Sequence, residues 1–250
     1  MNKFANLMNH IGMRLEQVGQ LIQGKGTGTS ISQECKQALT FIKEDDQKVF
    51  IDVGGNKGDF TAEILKNLPK ARVLVYEPSA KNIEILAQRF KHNPNVQVFG
   101  FGLSNDESSH TLFSDSEGSG LGSLIKRRLE HFDIKFDVSE EISTRRFEEE
   151  WNHNLGSPEI ALCKIDVEGL EYQVLLGFGG VLDHCDVIQF EFGGTHIDSR
   201  NYFQDFWYFF EDKGFDLHRI SPIGPIPIKK YSESDEWFQG PSNFLAVRRK

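Results

Sequence analysis

Basic charge, cysteine and long apolar runs are all scarce in this chain. Against 28 lysines and arginines stand 37 acids, a net charge of −9. Proteins that live on DNA, RNA or an anionic membrane rely on a basic surface, so nucleic acid is not an expected partner. Cysteine occurs three times, as Cys35, Cys163 and Cys185, without metal-ligand spacing. Cys163 and Cys185 fall in or beside predicted strands, where buried thiols are expected, and a reducing, cytoplasmic setting fits. No run reaches the ~18–20 apolar residues of a membrane helix, so no membrane span is expected. The N-terminus lacks a signal-peptide apolar core. Two phosphate-binding fingerprints are also missing. GKGTGTS at 24–30 does not meet G-x-x-x-x-G-K-[ST] and follows no strand, so it reads as a flexible linker. Counted from Gly54, the dinucleotide pattern G-x-G-x-x-G fails twice, at Asn56 and Asp59.

What is present begins with VFIDVGGNKGDFTAEIL, residues 49–65. Val49, Phe50 and Ile51 make a short apolar run of strand-forming residues. Asp52 ends it, Gly54, Gly55 and Gly58 follow, and Phe60, Ile64 and Leu65 recur at helical spacing. A strand, a glycine turn and a helix N-terminus offer a ligand close backbone approach and free N–H groups. Nineteen residues after Gly58, Glu77 closes the run RVLVYEP, at the place where an acid holds a ribose hydroxyl. The glycine spacing is D-x-G-x-x-x-G. A carboxylate beside the turn repels a pyrophosphate and suits a cation, such as the ammonium and sulfonium of S-adenosyl-L-methionine. The pattern resembles class I methyltransferases more than dehydrogenases.

At 250 residues, with 38% hydrophobic and 26% charged content, the chain has room for one full core plus a small extension. The 21 phenylalanines read as core. Residues 1–47 form a helical extension and linker. Phe4, Leu7, Met8, Ile11, Leu15, Val18, Leu21 and Ile22 predict an amphipathic helix, whose apolar face is open to packing on the domain, homodimerisation or substrate contact. A second helix is expected over 31–43, then the acidic Glu44-Asp45-Asp46.

From residue 48 to 250 strand and helix alternate, which implies βαβ units around a parallel sheet. Strands are predicted at 49–53, 72–77, 95–104, 160–166, 186–194, 216–220 and 242–249. Helices fall at 59–68, 80–91 and from Glu168 onward, with Glu168 in the first turn, followed by an aromatic helix closed by Gly214. Residues 105–148 break the rhythm, with HTLFSD reading as an extra short strand. Their Gly/Ser loop, 114–124, reads equally as a lid or as disorder. The basic residues Lys126, Arg127, Arg128, Arg145 and Arg146 read as a solvated face. Residues 223–240 read as a proline-bearing excursion.

Three stretches, FIDVGGNKGDFT, VYEPS and CKIDVEGLEYQVLLGF, resemble the FkbM-type methyltransferases, and VIQFEF fits as well. The resemblance covers about residues 48–248. The chain departs at Arg146-Phe147-Glu148-Glu149, where family members carry a Leu-Asp-Asp-type segment. The resemblance implies an α/β, Rossmann-like class I methyltransferase fold: a mostly parallel, seven-stranded sheet with helices on both faces. It implies an S-adenosylmethionine-dependent O-methyltransferase acting on a hydroxyl of a sugar, glycoconjugate or natural product. Asp52 and Gly54 are then expected at the methionine end of the cofactor, Glu77 at the ribose, and Leu103 and Ser104 at the adenine, with Asn56 and Gly58 also binding the cofactor. Asp166 is the first candidate for the base that takes the hydroxyl proton, with Lys164 orienting it, and Glu191 and His196 on adjacent strand ends. No metal ligand is assigned, although Asp166, Glu168, Glu191 and His196 would suit Mg²⁺ if they converged. Lys164 and Asp166 also read as a plain structural ion pair. An NAD-dependent oxidoreductase and a catalytically silent binding protein of the same fold stay open as alternatives.

Overall fold

The computed structural model describes residues 3–26, 29–43 and 47–249. Glu44-Asp45-Asp46 and residues 27–28 of the GKGTGTS linker lie outside them. Five strands build a parallel wall: β1 (Val49–Val53), β2 (Arg72–Tyr76), β3 (Val96–Phe99), β7 (Ile160–Ile165) and β8 (Cys185–Phe192). Their side chains alternate between two cores. Val49, Ile51 and Val53 point into one, with Leu74, Tyr76, Cys163 and Phe190. Phe50 points into the other, with Val73, Val75 and Leu162. A sheet with two apolar faces needs cover on both. α5 (Phe147–His153), α6 (Glu171–Phe178) and α8 (Phe203–Asp212) supply Phe147, Phe178 and Phe206 to the first core. α3 (Asp59–Asn67) and α4 (Ala80–Phe90) supply Phe60, Ile64 and Leu86 to the second.

Two helices precede β1. α1 (Lys3–Ile22) is long and amphipathic, as its spacing predicts. α2 (Ile31–Leu39) is started by a capping box in which Ser30 and Gln33 bond each other's backbone N–H. Its Cys35 and Ala38 are fully buried in the second core against α3, so this helix packs as part of the main body.

The main sheet has eight strands rather than the seven expected. β11 (Ser242–Arg248) runs antiparallel to β8 and to β9 (Phe215–Arg219). The eighth is β10 (Ile226–Ile228), drawn from the proline-bearing excursion and paired antiparallel with β9. Its Pro227 lacks an N–H, and an edge strand tolerates that because one side needs no donor. The full order is β10-β9-β11-β8-β7-β1-β2-β3. The run 95–104 divides in two: after β3, β4 (Gly102–Leu103) leaves for a second, three-stranded sheet with β5 (Ser108–Ser114) and β6 (Val138–Arg145). That small sheet stands over the C-terminal ends of β1 and β2 and carries the Gly/Ser loop between β5 and β6.

Candidate active site

The glycine turn after β1 is shaped by one close approach. Gly54 has φ +76°, and a Cβ on it would lie 1.9 Å from the Asp166 carbonyl oxygen. Only glycine lets the β1 turn and the end of β7 meet this way. The turn then hangs on β2: the Gly54 and Gly55 N–H groups donate to the Tyr76 carbonyl. Glu77, next in the chain, is buried, and its two oxygens accept the backbone N–H groups of Asn56 (2.7 Å) and Ser79 (3.0 Å). Asn82 Nδ2 adds a longer contact of 3.4 Å. Burial raises the Glu77 carboxyl above its ordinary pKa, against the pull of those donors.

Beside this turn opens a cavity of about 590 Å³, within the range of small-molecule sites. Gly54, Asn56, Glu77, Leu103, Lys164 and Asp166 all line it. Its far wall is the small sheet, through Leu112, Val138 and Ile142, and its roof is the Gly/Ser loop, through Gly118, Ser119 and Gly120. The loop is therefore placed over the cavity. A Cβ on Gly118 would lie 2.9 Å from Asn82 Oδ1, and one on Gly120 would lie 3.0 Å from Asn56 Nδ2. Ser123 pins the loop's end by donating to the Glu168 carbonyl at 2.9 Å.

Under the cavity runs a polar row across three central strands. Asp52, Lys164 and Gln189 stand side by side in register, on the face covered by α2. Lys164 Nζ lies 3.5 Å from Asp52 Oδ1 and 3.3 Å from Asp166 Oδ2, and donates to the Gly54 carbonyl at 3.2 Å. Burial works against the lysine's charge, yet Asp166 and Asp52 hold its pKa above the ordinary value. The lysine is thus a fixed cation that ties the glycine turn to the β7 end. Glu34 of α2 closes the row, accepting from Thr29 Oγ1 (2.8 Å) and Gln189 Nε2 (3.4 Å), and with Ile31 it lines the cavity.

Five expected site residues are held elsewhere. Asp52 is fully buried, and its Oδ2 accepts from Thr61 Oγ1 at 2.6 Å, so it sits beneath the cavity and supports Lys164. Gly58 has φ +83° and caps α3, where a Cβ would strike Phe90 at 2.5 Å; packing demands that glycine. Ser104 is buried against α6, its carbonyl 2.0 Å from where a Gly177 Cβ would stand. His196 is buried too. Its Nδ1 accepts the Gly193 N–H at 3.2 Å, which leaves Nε2 to face Glu171 Oε2 at 3.0 Å. Glu171 also accepts from the Val167 and Gly169 N–H groups, and His196, acting against burial, holds its carboxyl below the ordinary pKa. The pair is a structural knot under the KIDVEG turn. Glu191 shares the α2 face with Gln189 and lies outside the cavity lining. Burial, then Asp166, Glu168 and Glu171, push its carboxyl well above the ordinary range.

Glu168 is the residue whose place the sequence understated. It lines the cavity in a left-handed conformation, φ +57°. Arg127 Nη1 lies 3.4 Å from its Oε2, while Arg127 Nε donates to Asp198 Oδ2 at 3.0 Å. Arg127 is therefore mostly buried, unlike its neighbour Arg128, which is 90% exposed. Burial, Asp166 and Glu171 raise the Glu168 carboxyl to about 8. Among the described residues, no three His, Cys, Asp or Glu side chains gather as a metal-binding group.

An open α/β sheet, an acid at the end of β2 and a lysine–aspartate pair at the end of β7 define a class I methyltransferase. The family model of the methyltransferase FkbM domain matches residues 52–217, and the chain belongs to that family. It is 24% identical over 192 residues to the 2-O-methyltransferase NoeI of Sinorhizobium fredii, an alignment covering 73% of this chain and 78% of that protein. It is 25% identical over 207 residues to Methyltransferase 1 of Beauveria bassiana, covering 74% and 80%. A 159-residue match, 32% identical, joins 52% of the chain to the AMB antimetabolite synthetase AmbE of Pseudomonas aeruginosa, of which it spans only 8%. Among solved structures, a methyltransferase FkbM from Methylobacillus flagellatus KT aligns with 82% of this chain and 45% of its own, at 16% identity and a TM-score of 0.49.

Proposed function

We propose that this methyltransferase uses S-adenosyl-L-methionine and methylates a hydroxyl of a sugar, glycoconjugate or natural product. The observation that carries the reading is Glu77. It is a buried carboxyl at the end of β2, fixed by two backbone N–H groups and Asn82, with a lone pair of Oε2 left for a ribose hydroxyl. Two buried acceptors of the cavity wall, Asn56 Oδ1 and Asn82 Oδ1, have no protein partner, which fits a polar ligand there. The cofactor supplies an electrophilic methyl group. Glu77 would hold its ribose, Leu103 would flank the adenine, and the Gly54–Asn56 backbone would meet the methionine end. Asp166, on the cavity wall, takes the proton of the acceptor hydroxyl, and Lys164 fixes the position of that carboxylate. Hydroxyl acceptors are supported by the name of NoeI, a 2-O-methyltransferase. Three buried free thiols support a reducing, cytoplasmic setting. Among the described residues, no helix is long and apolar enough to cross a membrane.

The test is transfer of a radiolabelled methyl group from S-adenosylmethionine to a panel of sugars, oligosaccharides and polyhydroxylated natural products, with amines and RNA as controls. Label on an oxygen of a hydroxylated acceptor supports the reading. Label confined to amines or RNA refutes it.

A further inference from the structure

α1 is an amphipathic helix with its apolar face in solvent. Among the described residues, none of its side chains is buried. Met8, Ile11, Leu15, Val18 and Ile22 are each between 43% and 70% exposed, and Phe4, also exposed, continues the same line. The spacing of these six is 4, 3, 4, 3, 4, a repeat of 3.5 residues held over the whole helix. That period, rather than 3.6, is the seam of a coiled coil, and its partner is another helix with the same repeat.

Three features say which helix. First, α1 does not turn back on its own domain. Its C-terminal end is clamped by Arg219 Nε to the Gln23 carbonyl (2.7 Å), Lys25 Nζ to the Ser234 carbonyl (2.6 Å) and the Gly26 N–H to Ser242 Oγ (3.2 Å). From there the helix extends for roughly 30 Å at 1.5 Å per residue. Second, the seam matches itself. Turned antiparallel about Met13, two copies would layer Phe4 on Ile22, Met8 on Val18 and Ile11 on Leu15. The same turn leaves Gly12 of one copy roughly 3 Å along the axis from Gly12 of the other, at 1.5 Å per residue, and Ala5 in the same relation to Gly19. Gly12 has open space where its side chain would be, and Gly19 has only the end of Gln23 nearby, so two backbones can approach closely there. Interior glycines weaken an isolated helix, and a helix this short is marginal in water without packing. Third, the polar face lacks the basic belt of a lipid-binding helix: it carries Asn6, Asn9, Gln17 and Gln20, with Lys3 and Arg14 set against Glu16.

We infer that α1 is a dimerisation helix, whose Met8–Ile22 seam packs antiparallel against the same seam of a second copy of this chain. The clamp sits at the start of β11 and the end of β9, the sheet edge on which the cavity opens. In each copy the dimerisation helix is therefore clamped to the same sheet edge that carries the cavity.

Light scattering coupled to size exclusion tests this on the full chain, with no ligand needed. The expected mass is twice the 28.5 kDa of one chain. The double substitution Ile11→Asp and Leu15→Asp is expected to give a monomer whose near-ultraviolet circular dichroism is unchanged, because neither residue touches the core. A Gly12→Cys variant is expected to form a disulfide-linked dimer on air oxidation, the three native cysteines being buried. A wild-type monomer at tens of micromolar overturns the inference, as does a dimer that survives the double substitution or fails to link through position 12. A monomer that co-sediments with phosphatidylserine vesicles overturns it too and gives the face to a lipid surface.

Discussion

At the scale of single residues, the site separates groups that touch the cavity from groups that hold them. Asp166 touches it, and its partner Lys164 is pinned between two aspartates. Asp166→Asn is expected to lower methyl transfer at least a hundredfold, and to change S-adenosylhomocysteine affinity by less than about threefold. Turnover assays beside calorimetry check both, and full activity in that variant removes Asp166 from the mechanism. Gly54 holds the geometry. Gly54→Ala places a methyl where the Asp166 carbonyl stands, and is expected to cost upward of about 2 kcal/mol in urea unfolding. Glu168 gives a pH signature. Its pKa rises from an ordinary 4.5 to about 8, so between those values the folded state keeps a proton that the unfolded chain releases. Its contribution to stability is therefore undiminished below about 4.5 and falls as pH rises towards 8, by on the order of a few kcal/mol. Glu168→Gln removes that loss. Its melting temperature relative to wild type is expected to be higher at pH 8.5 than at pH 5, and an equal offset at both contradicts the assignment.

Residues were legible in the sequence where strand position alone fixes them. Glu77 ends a strand at the ribose distance from the glycine turn, and Lys164 and Asp166 end another. Asp52 shows the limit. Alternation puts it on the face of Phe50, and that face is closed by Thr61 and α2, a fact of packing rather than of spacing. His196 has the right side-chain type and the right strand end. Its partner Glu171 hides in the same acid-glycine-x-acid run that marks the family, and only the folded chain brings the two together.

Among elements, the packing of α2, although its helix is expected over 31–43, and the order of the Gly/Ser loop were not legible. α2 lies outside the matched residues 52–217, yet Ala38 is core and Glu34 lines the cavity. Ala38→Leu is expected to cost about 1–3 kcal/mol by overpacking against α3, which denaturant unfolding reads; no change would make α2 a loose appendage. The Gly/Ser loop is polar and carries no period. What orders it is β5 and β6 pairing on either side, together with Ser123 on the Glu168 carbonyl. Gly120 needs no left-handed backbone, so Gly120→Val leaves the fold intact and crowds Asn56. That variant is expected to weaken S-adenosylhomocysteine about tenfold with an unchanged urea midpoint. β10 escaped the sequence because three residues, one of them proline, carry no strand signal until β9 offers an edge.

For the whole molecule, the parallel wall, the final antiparallel strands and the position of the ligand edge follow from alternation and handedness, so the fold class was legible early. Of the small sheet only β5 was legible, as the short strand HTLFSD, because β4 has two residues and β6 is mostly polar and half exposed. The molecule's central claim is that one edge of the large sheet holds S-adenosylmethionine through Glu77. Isothermal calorimetry of the purified protein against S-adenosylmethionine, S-adenosylhomocysteine and NADH, repeated with Glu77→Ala, tests it most directly. Micromolar binding of the first two, no binding of NADH, and a loss of at least about tenfold in the variant are expected. Binding of NADH alone, or S-adenosylhomocysteine binding that Glu77→Ala leaves untouched, would contradict it.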